Sequence, residues 1–411
     1  MAIRADGVDE LAAAPITHRV RLVLILGSLS AFGPLSIDMY LPAFPSLSKD
    51  LHAGPSAVQL TLTACLIGLA VGQLVAGPLS DTLGRRRPLL VGLVCYTVLS
   101  AACFVAPSVY ALAGLRLLQG FGGSAGLVIA GAAVRDRYAG VAMARFLSTL
   151  MLVNGLAPIV APVIGGQLLR VTSWRGVFVV LTGFGLVLLV ACIAWFDESL
   201  PPERRRPGSL PDTMRSFGEL LRDRKFAGYA LAGGLAFAAM FAYISGSSFV
   251  LQDIFGLSPQ QFGLVFGTNA LGIVVVGQLN RWLVNRFAPR LLLAIGLAAA
   301  TAGGALLVVA VLAGWGLPAL LPGLFAVVAS IGIVLPNTRA LATADYPDLA
   351  GTSSALLGVS QFAIGGLVAP LIGLGGTGTA LPMVVVIAAL TVLALVVFVL
   401  MTRPRPANVS G

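Results

Sequence analysis

Val160-Ala-Pro-Val-Ile-Gly165 recurs with one change as Val368-Ala-Pro-Leu-Ile-Gly373, and this echo decides the architecture. A second pair keeps nearly the same offset: Asp50-Leu-His-Ala-Gly-Pro-Ser, leading to Gly72-Gln-Leu74, matches Asp253-Ile-Phe-Gly-Leu-Ser-Pro, leading to Gly277-Gln-Leu279. Apolar segments of about 20 residues, enough to cross a bilayer, can be drawn twelve times. They lie near 20–43, 56–79, 88–106, 109–134, 145–169, 176–196, 226–250, 261–284, 290–313, 317–341, 352–374 and 379–402. An even number of spans separates equivalent points, so both copies keep one orientation. The expected fold is an all-α membrane protein of twelve transmembrane helices in two parallel six-helix repeats, with a path between them.

Composition agrees. Of 411 residues 58% are hydrophobic and 10% charged, and the mean hydropathy is +0.96; soluble folds do not have this balance. The net charge of +10 does not point to nucleic acid, because the arginines sit in short gaps between apolar runs rather than on one soluble domain. With a cytoplasmic N-terminus the outer loops hold Lys49, Arg170 and Arg175. Arg85 to Arg87, Arg135, Arg137, Arg204 to Arg206, Arg215, Arg222, Arg224, Lys225, Arg286, Arg290, Arg403 and Arg405 then face inward, as the positive-inside rule asks. The expected division is a cytoplasmic tail (1–19), a first bundle (20–196), a cytoplasmic linker (197–225), a second bundle (226–402) and a second tail (403–411). The first span is too long for a signal-peptide core and is read as uncleaved. Cys65, Cys95, Cys103 and Cys192 lie inside apolar segments without metal-site or disulfide spacing.

Two charges, Asp38 and Arg116, stand well inside spans rather than at their ends. Asp38, in Ser36-Ile-Asp-Met-Tyr-Leu-Pro-Ala-Phe-Pro45, is the one charge in its long apolar segment beyond Arg21 at the start. A carboxylate there costs several kcal/mol unless it meets a wet cavity or a partner, so it reads as a proton or ion site. The alternative is that it caps the helix end before Pro42 and Pro45. Arg116 opens Arg116-Leu-Leu-Gln-Gly-Phe-Gly-Gly-Ser-Ala-Gly126 in the fourth span. It either snorkels to the interface or continues a polar stripe inward with Gln119, three residues on and on the same face. Gly122-Gly-Ser-Ala-Gly126 mimics a nucleophile elbow, but no strand precedes it, and His18 and His52 lie outside the spans; catalysis is not expected. A dinucleotide fingerprint at Gly120 fails for the same lack of context, and both stretches read as a small-residue packing face. No lysine follows a glycine as a P-loop requires, so no nucleotide or other cofactor is expected.

Gly77-Pro-Leu-Ser-Asp-Thr-Leu-Gly-Arg-Arg-Arg-Pro-Leu89 joins the second and third spans. Gly77 permits close helix packing, Gly84 a tight turn, and Asp81 suits exposed N–H groups at a helix N-terminus. The stretch resembles the signature loop of the major facilitator superfamily, with Thr82 where that family usually has a basic residue. The resemblance implies a cytoplasmic latch of Gly77, Asp81, Gly84, Arg85 and Arg86, with Asp81 near Gly351 to Ser353 and Arg85 near Asp136. In the fifth span, Ala157-Pro-Ile-Val-Ala-Pro-Val-Ile-Gly-Gly166 resembles the antiporter motif, carried here by Pro158, Ala161, Pro162, Gly165 and Gly166, with Ala161 in place of a glycine.

These motifs, the stretch around Asp38 and Leu200-Pro-Pro-Glu-Arg-Arg205 resemble, over about Arg21 to Arg405, the Bcr/CflA drug-resistance group of twelve-span proton antiporters. That group is associated with export of bicyclomycin, chloramphenicol-type drugs and sulfonamides. The resemblance implies a multi-pass protein of the bacterial inner membrane, no enzyme, driven by a proton gradient. Its partners would be a small-molecule drug, protons and membrane lipid, and it is expected to act as a monomer. Asp38 would carry the proton and Arg116 tune it. Where some relatives have a second acid, this chain has Ser30, which argues against strongly cationic drugs. A proton-coupled importer on the same fold is the alternative. Phe237, Met240, Phe241 and Ile244 follow helical spacing in the seventh span. They face lipid, pack, or join Tyr40, Gln119, Asn154, Asn269, Asn337 and Gln361 in lining a substrate cavity.

Overall fold

The computed structural model describes residues 16–138, 140–205, 210–346, 349–373 and 378–402, and their regular structure is entirely helical. The first span is broken: α1 (Ile16–Ser30) and α2 (Phe32–Asp38) precede a 3-10 turn (Leu41–Ala43) and α3 (Phe44–Asp50). The axis bends by 45° between Val20–Ser30 and Phe32–Asp50. Pro34 supplies the physical reason, since it has no N–H to give to the carbonyl one turn back. Pro42 and Pro45, read above as helix ends, sit in the first turns of the 3-10 turn and α3. A missing N–H costs nothing there.

The rest of the first half is α4 (Pro55–Leu83), α5 (Arg86–Phe104), α6 (Val109–Arg137), α7 (Gly140–Leu168) and α8 (Trp174–Trp195). The second half begins with α9 (Leu210–Arg222) and continues with α10 (Arg224–Phe249), α11 (Pro259–Leu283), α12 (Pro289–Leu312), α13 (Leu317–Thr343), α14 (Ala350–Gly373) and α15 (Leu381–Met401). Among the described residues ten helices have the length and apolar character to cross a membrane, and the bent first pair, taken as one span, is an eleventh. α7, with 29 residues and two internal prolines, takes the remaining place in the repeat. The expected fold class is borne out.

Within the interval 197–225, residues 210–222 are helical. α9 buries Phe217 and Leu220 against α10 and α14, while Arg215 and Glu219 pair at i,i+4 across 3.5 Å. The chain forms two compact units: Met1–Ser209 with Leu257–Gly267, and Leu210–Gly256 with Thr268–Gly411.

In the first unit the stretch from Gly120 to Gly126 does what its small residues suggest. A Cβ on Gly120 would lie 2.2 Å from the Cys65 carbonyl oxygen, and one on Gly68 would lie 1.9 Å from that of Leu117, so α4 and α6 touch backbone to backbone. Gly123 lies under the Tyr96 ring of α5 and Gly126 under Phe32 of α2. This packing brings α2, α5 and α6 together around Arg116.

Candidate functional site

Asp38 is the last residue of α2, at the interruption of the first span, and is 5% exposed. Among the described residues no hydrogen bond or ion pair reaches its carboxyl group. Arg116 is fully buried, and it does not snorkel. Its Nη2 donates to the Ser36 carbonyl (2.8 Å) and its Nη1 to Gln119 Oε1 (2.6 Å). The Ser36 carbonyl lies in the final turn of α2, where carbonyls lose their helical partners and attract cations. The guanidinium also lies over Tyr40 (5.1 Å to the ring centroid) and Phe178 (5.8 Å), contacts each worth on the order of 1 kcal/mol.

Neutral groups complete the arrangement. Gln119 Nε2 donates to Ser100 Oγ (2.6 Å), and Ser100 Oγ donates to the Tyr96 carbonyl (2.7 Å). The Tyr96 hydroxyl meets Ser36 Oγ at 2.7 Å, and that of Tyr40 meets Thr61 Oγ1 at 3.3 Å. Arg116 thus holds the backbone two residues before Asp38 rather than its carboxylate. Ser30, in the place of a second acid, donates its hydroxyl to the Leu26 carbonyl.

At the arginine-rich end, Arg85 gathers several acceptors. Its Nε and Nη2 donate to the two Asp136 oxygens (2.8 and 3.3 Å), a bidentate pair. Its Nη1 donates to Asp81 Oδ1 and to Ser80 Oγ (2.7 Å). The pairing of Arg85 with Asp136 is present, but Asp81 lies in the last turn of α4 and turns to Arg85. The N–H groups at the start of α5 belong instead to Glu198. Its Oε1 accepts from Arg85 N (2.7 Å) and Leu200 N (3.0 Å), and its Oε2 from Arg86 N (3.2 Å). Burial alone would raise the Glu198 carboxyl, yet these three backbone donors and the nearby Arg205 outweigh it and hold the group below the ordinary glutamate range.

Ser199 Oγ donates to Asp136 Oδ2 (3.0 Å), Arg86 Nη2 to the Ile193 carbonyl (2.7 Å) and Arg137 Nη2 to that of Asp197 (2.5 Å). Residues 197–200, which open the expected linker, are therefore tied into the charged cluster around Arg85; an acid directly after a span that returns to an arginine-rich loop was the available signal. Gly84 is required, with φ +89° and Glu198 Oε2 2.4 Å from where its Cβ would be. Gly77 is not: a Cβ there meets nothing nearer than Val128 Cγ1 at 3.9 Å. The close packing expected of it is corrected accordingly.

In α7, Pro158 and Pro162 interrupt the hydrogen-bond ladder, and Ala161 is fully buried. A Cβ on Gly165 would lie 2.1 Å from the Met39 carbonyl oxygen, next to Asp38, and one on Gly166 would lie 2.6 Å from that of Pro259. Gln260 Nε2 donates to the Gly166 carbonyl at 2.7 Å. Asn154 Nδ2 bonds the Leu150 carbonyl one turn back at 3.2 Å.

In the second unit the aromatic stripe packs rather than facing lipid. Phe237, Met240 and Phe241 are at most 9% exposed. Phe237 stacks near Phe241 (5.0 Å) and meets the edge of Phe362 on α14 (5.5 Å). Asn269 Nδ2 donates to the Tyr243 hydroxyl (2.9 Å) and Asn337 Nδ2 to Asn280 Oδ1 (2.7 Å). Gln361 is half-buried on α14. Among the described residues no group of three His, Cys, Asp or Glu side chains converges as a metal site would require.

This geometry can be set beside known proteins. The profile of the Major Facilitator Superfamily matches residues 26–370. The chain is 40% identical over 394 residues to the uncharacterized MFS-type transporter YdgK of Bacillus subtilis, covering 94% of this chain and 97% of the relative. It is 32% identical to the bicyclomycin resistance protein homolog of Haemophilus influenzae (92% and 96% covered). It is also 32% identical to the chloramphenicol resistance protein of Pseudomonas aeruginosa (85% and 82%). Among solved structures, an inward-facing bacterial homolog of the human lysosomal transporter Spinster superposes with a TM-score of 0.73 at 17% identity (96% and 100% covered). The xylose transporter XylE from E. coli gives 0.73 at 12% (92% and 97%). These two likenesses speak for the fold alone. By the profile match over most of its length and by these relatives, the chain belongs to the Major Facilitator Superfamily.

Proposed function

We propose that the protein is a drug:proton antiporter, which exports small amphipathic antibiotics, neutral or weakly charged, while protons enter. It works in the bacterial inner membrane with both termini cytoplasmic, the orientation the arginine asymmetry favours. The observation that carries the reading is Asp38: a carboxyl buried at the end of α2 in the first span, with no paired cation among the described residues, in a chain related to proteins named for bicyclomycin and chloramphenicol resistance.

In this mechanism Asp38 takes a proton from the outside and gives it up to the cytoplasm as the two bundles expose the site alternately. Drug occupies the site on the opposite stroke. Arg116, fixed two residues away on Ser36, sets the field that Asp38 feels, and the latch of Asp81, Arg85 and Asp136 with Glu198 favours the state closed to the cytoplasm. The glycines and prolines of α7 let the chain beside Met39 move against its neighbours. The proton gradient replaces any cofactor: one proton crossing 100 mV gains about 2.3 kcal/mol, enough to hold a several-tens-fold gradient of a neutral drug. Aromatic and amide groups of the second unit suit such drugs better than sugars or phosphorylated metabolites.

Asp38→Asn keeps the size of the side chain and removes the exchangeable proton. Inverted vesicles containing the wild type should release protons when bicyclomycin, chloramphenicol or a sulfonamide is added, and the mutant should release none while accumulating normally in the membrane. Unchanged release in the mutant would move the proton site elsewhere. Proton-driven movement of a solute in the same direction as the proton would establish an importer instead.

A further inference from the structure

The loop between α11 and α12 stands, by the repeat, where the first unit builds its cluster around Arg85. In the register that matches Gly72 to Gly277, Ser80 corresponds to Asn285, Asp81 to Arg286 and Arg85 to Arg290. An acid has been replaced by a base. From Ile254 to Ala344 the chain carries Arg281, Arg286, Arg290 and Arg339 and no carboxylate side chain. Acids of the same unit are engaged elsewhere: Glu219 with Arg215, Asp345 with Lys225 (2.6 Å) and Asp223 with the first N–H groups of α10. Among the described residues Arg290 therefore meets neutral groups. Its Nη1 donates to the Thr402 carbonyl, to Thr402 Oγ1 (3.0 Å) and to the Tyr229 hydroxyl (3.4 Å), and its guanidinium lies over Phe398. Arg286 is exposed and lies over the Trp282 ring, 4.0 Å from the centroid. Among the described residues its side chain takes no hydrogen bond or ion pair. A guanidinium over an aromatic ring keeps the N–H donors at its edge for an anion.

Trp282 ends an exposed apolar stripe. Leu271, Val275, Leu279 and Trp282 recur at helical spacing along α11 and each is about half exposed, whereas Gly272 and Asn280 turn to α13. At 1.5 Å per residue the stripe runs ~16 Å along the helix axis. That is about half of a ~30 Å hydrocarbon core, the depth of one leaflet. Phe287 and Leu291, both exposed, flank Arg286 on the α12 side. We propose that this edge of the second unit binds an anionic phospholipid, with its phosphate at Arg286 beside the Trp282 ring and an acyl chain along the α11 stripe. Arg281 and Arg290 add to the positive field that draws the headgroup. The lipid phosphate then supplies, in the second unit, the negative charge that Asp81 and Asp136 supply in the first. A zwitterionic lipid offers the same chains but carries an ammonium next to its phosphate, so a net negative headgroup is favoured. The site goes beyond the antiport reading and requires a chain that spans the membrane; the proposed orientation puts it in the cytoplasmic leaflet.

The test reads lipid occupancy beside Trp282. In the full chain Trp195 and Trp315, both exposed, are replaced by phenylalanine, which leaves Trp282 and the buried Trp174. The protein is reconstituted in vesicles of phosphatidylcholine and brominated phosphatidylglycerol, and fluorescence quenching is normalised, for each variant, to quenching by brominated phosphatidylcholine. Quenching should exceed what the mole fraction of phosphatidylglycerol gives, as a local enrichment of about fivefold. Arg286→Gln should remove most of this enrichment. Arg215→Gln, which takes the same charge from α9, should leave it intact. No enrichment in the parent chain, the same enrichment in Arg286→Gln, or an equal loss in Arg215→Gln would overturn the proposal. Inorganic phosphate added to the vesicles should not displace the lipid; displacement would mark a site for free phosphate instead. If Arg286→Gln does not fold, the parent chain in high salt decides, because screening shortens the reach of the arginine field and the enrichment must fall. No drug and no proton gradient enter the measurement, so its failure and the failure of the antiport reading are told apart.

Discussion

Gly84 and Gly77 belong to one sequence motif, yet the structure asks different things of them. Gly84→Ala must force φ +89° on a residue with a side chain and push Glu198 away, a cost of about 1–2 kcal/mol. Gly77→Ala makes only an ordinary van der Waals contact with Val128, at 3.9 Å, and should stay within about 0.5 kcal/mol of wild type. Thermal melting in detergent should separate the two variants, and equal melting would refute the distinction. Glu198 adds a pH signature. Its folded-state pKa lies below its ordinary value of 4.5, so its contribution is fully present above 4.5 and disappears as pH falls through the depressed folded value. Glu198→Gln should therefore melt lower than wild type at pH 7, by about 2 °C, and the gap should close below pH 4.5. Asp38 and Arg116 were legible because a charge in an apolar run stands out. Ser36, Tyr96 and Ser100 were not, because hydroxyls are common in spans and acquire meaning only when three helices bring them together.

At the level of elements, Arg85 ties the end of α4 to the end of α6. Reversing either charge, as Arg85→Asp or Asp136→Arg, should lower transport severalfold, and the double swap should recover part of it. Full recovery is not expected, because Arg85 also serves Asp81 and Ser80; strictly additive losses would refute the contact. The spans themselves were legible within a few residues, since length and apolar run leave little choice. The exceptions have physical reasons. The first helical span runs on to Asp50 because Pro42 and Pro45 start turns rather than stop them. α9 escaped notice because its apolar stripe is short and set among charges, and it is completed by docking Phe217 and Leu220 on α10 and α14.

For the molecule as a whole, the proposed orientation predicts that reporters fused after Arg205 and after Arg403 both read out on the cytoplasmic side; an external signal at either would reverse it. The duplication was legible from two pairs of echoing sequence. It did not foretell that Leu257–Gly267 would group with the first unit, because that follows from backbone approaches at Gly166 and Gly263 that no periodicity encodes. Glu198 lies 113 positions after Arg85, whose N–H it binds, and both lie ahead of every residue of the second bundle. On a translating ribosome the start of α5 stays uncapped until the chain beyond α8 has emerged, and is then closed while the second bundle is still unmade. The charged cluster at the start of α5 thus marks, during synthesis, the moment at which the first bundle is complete.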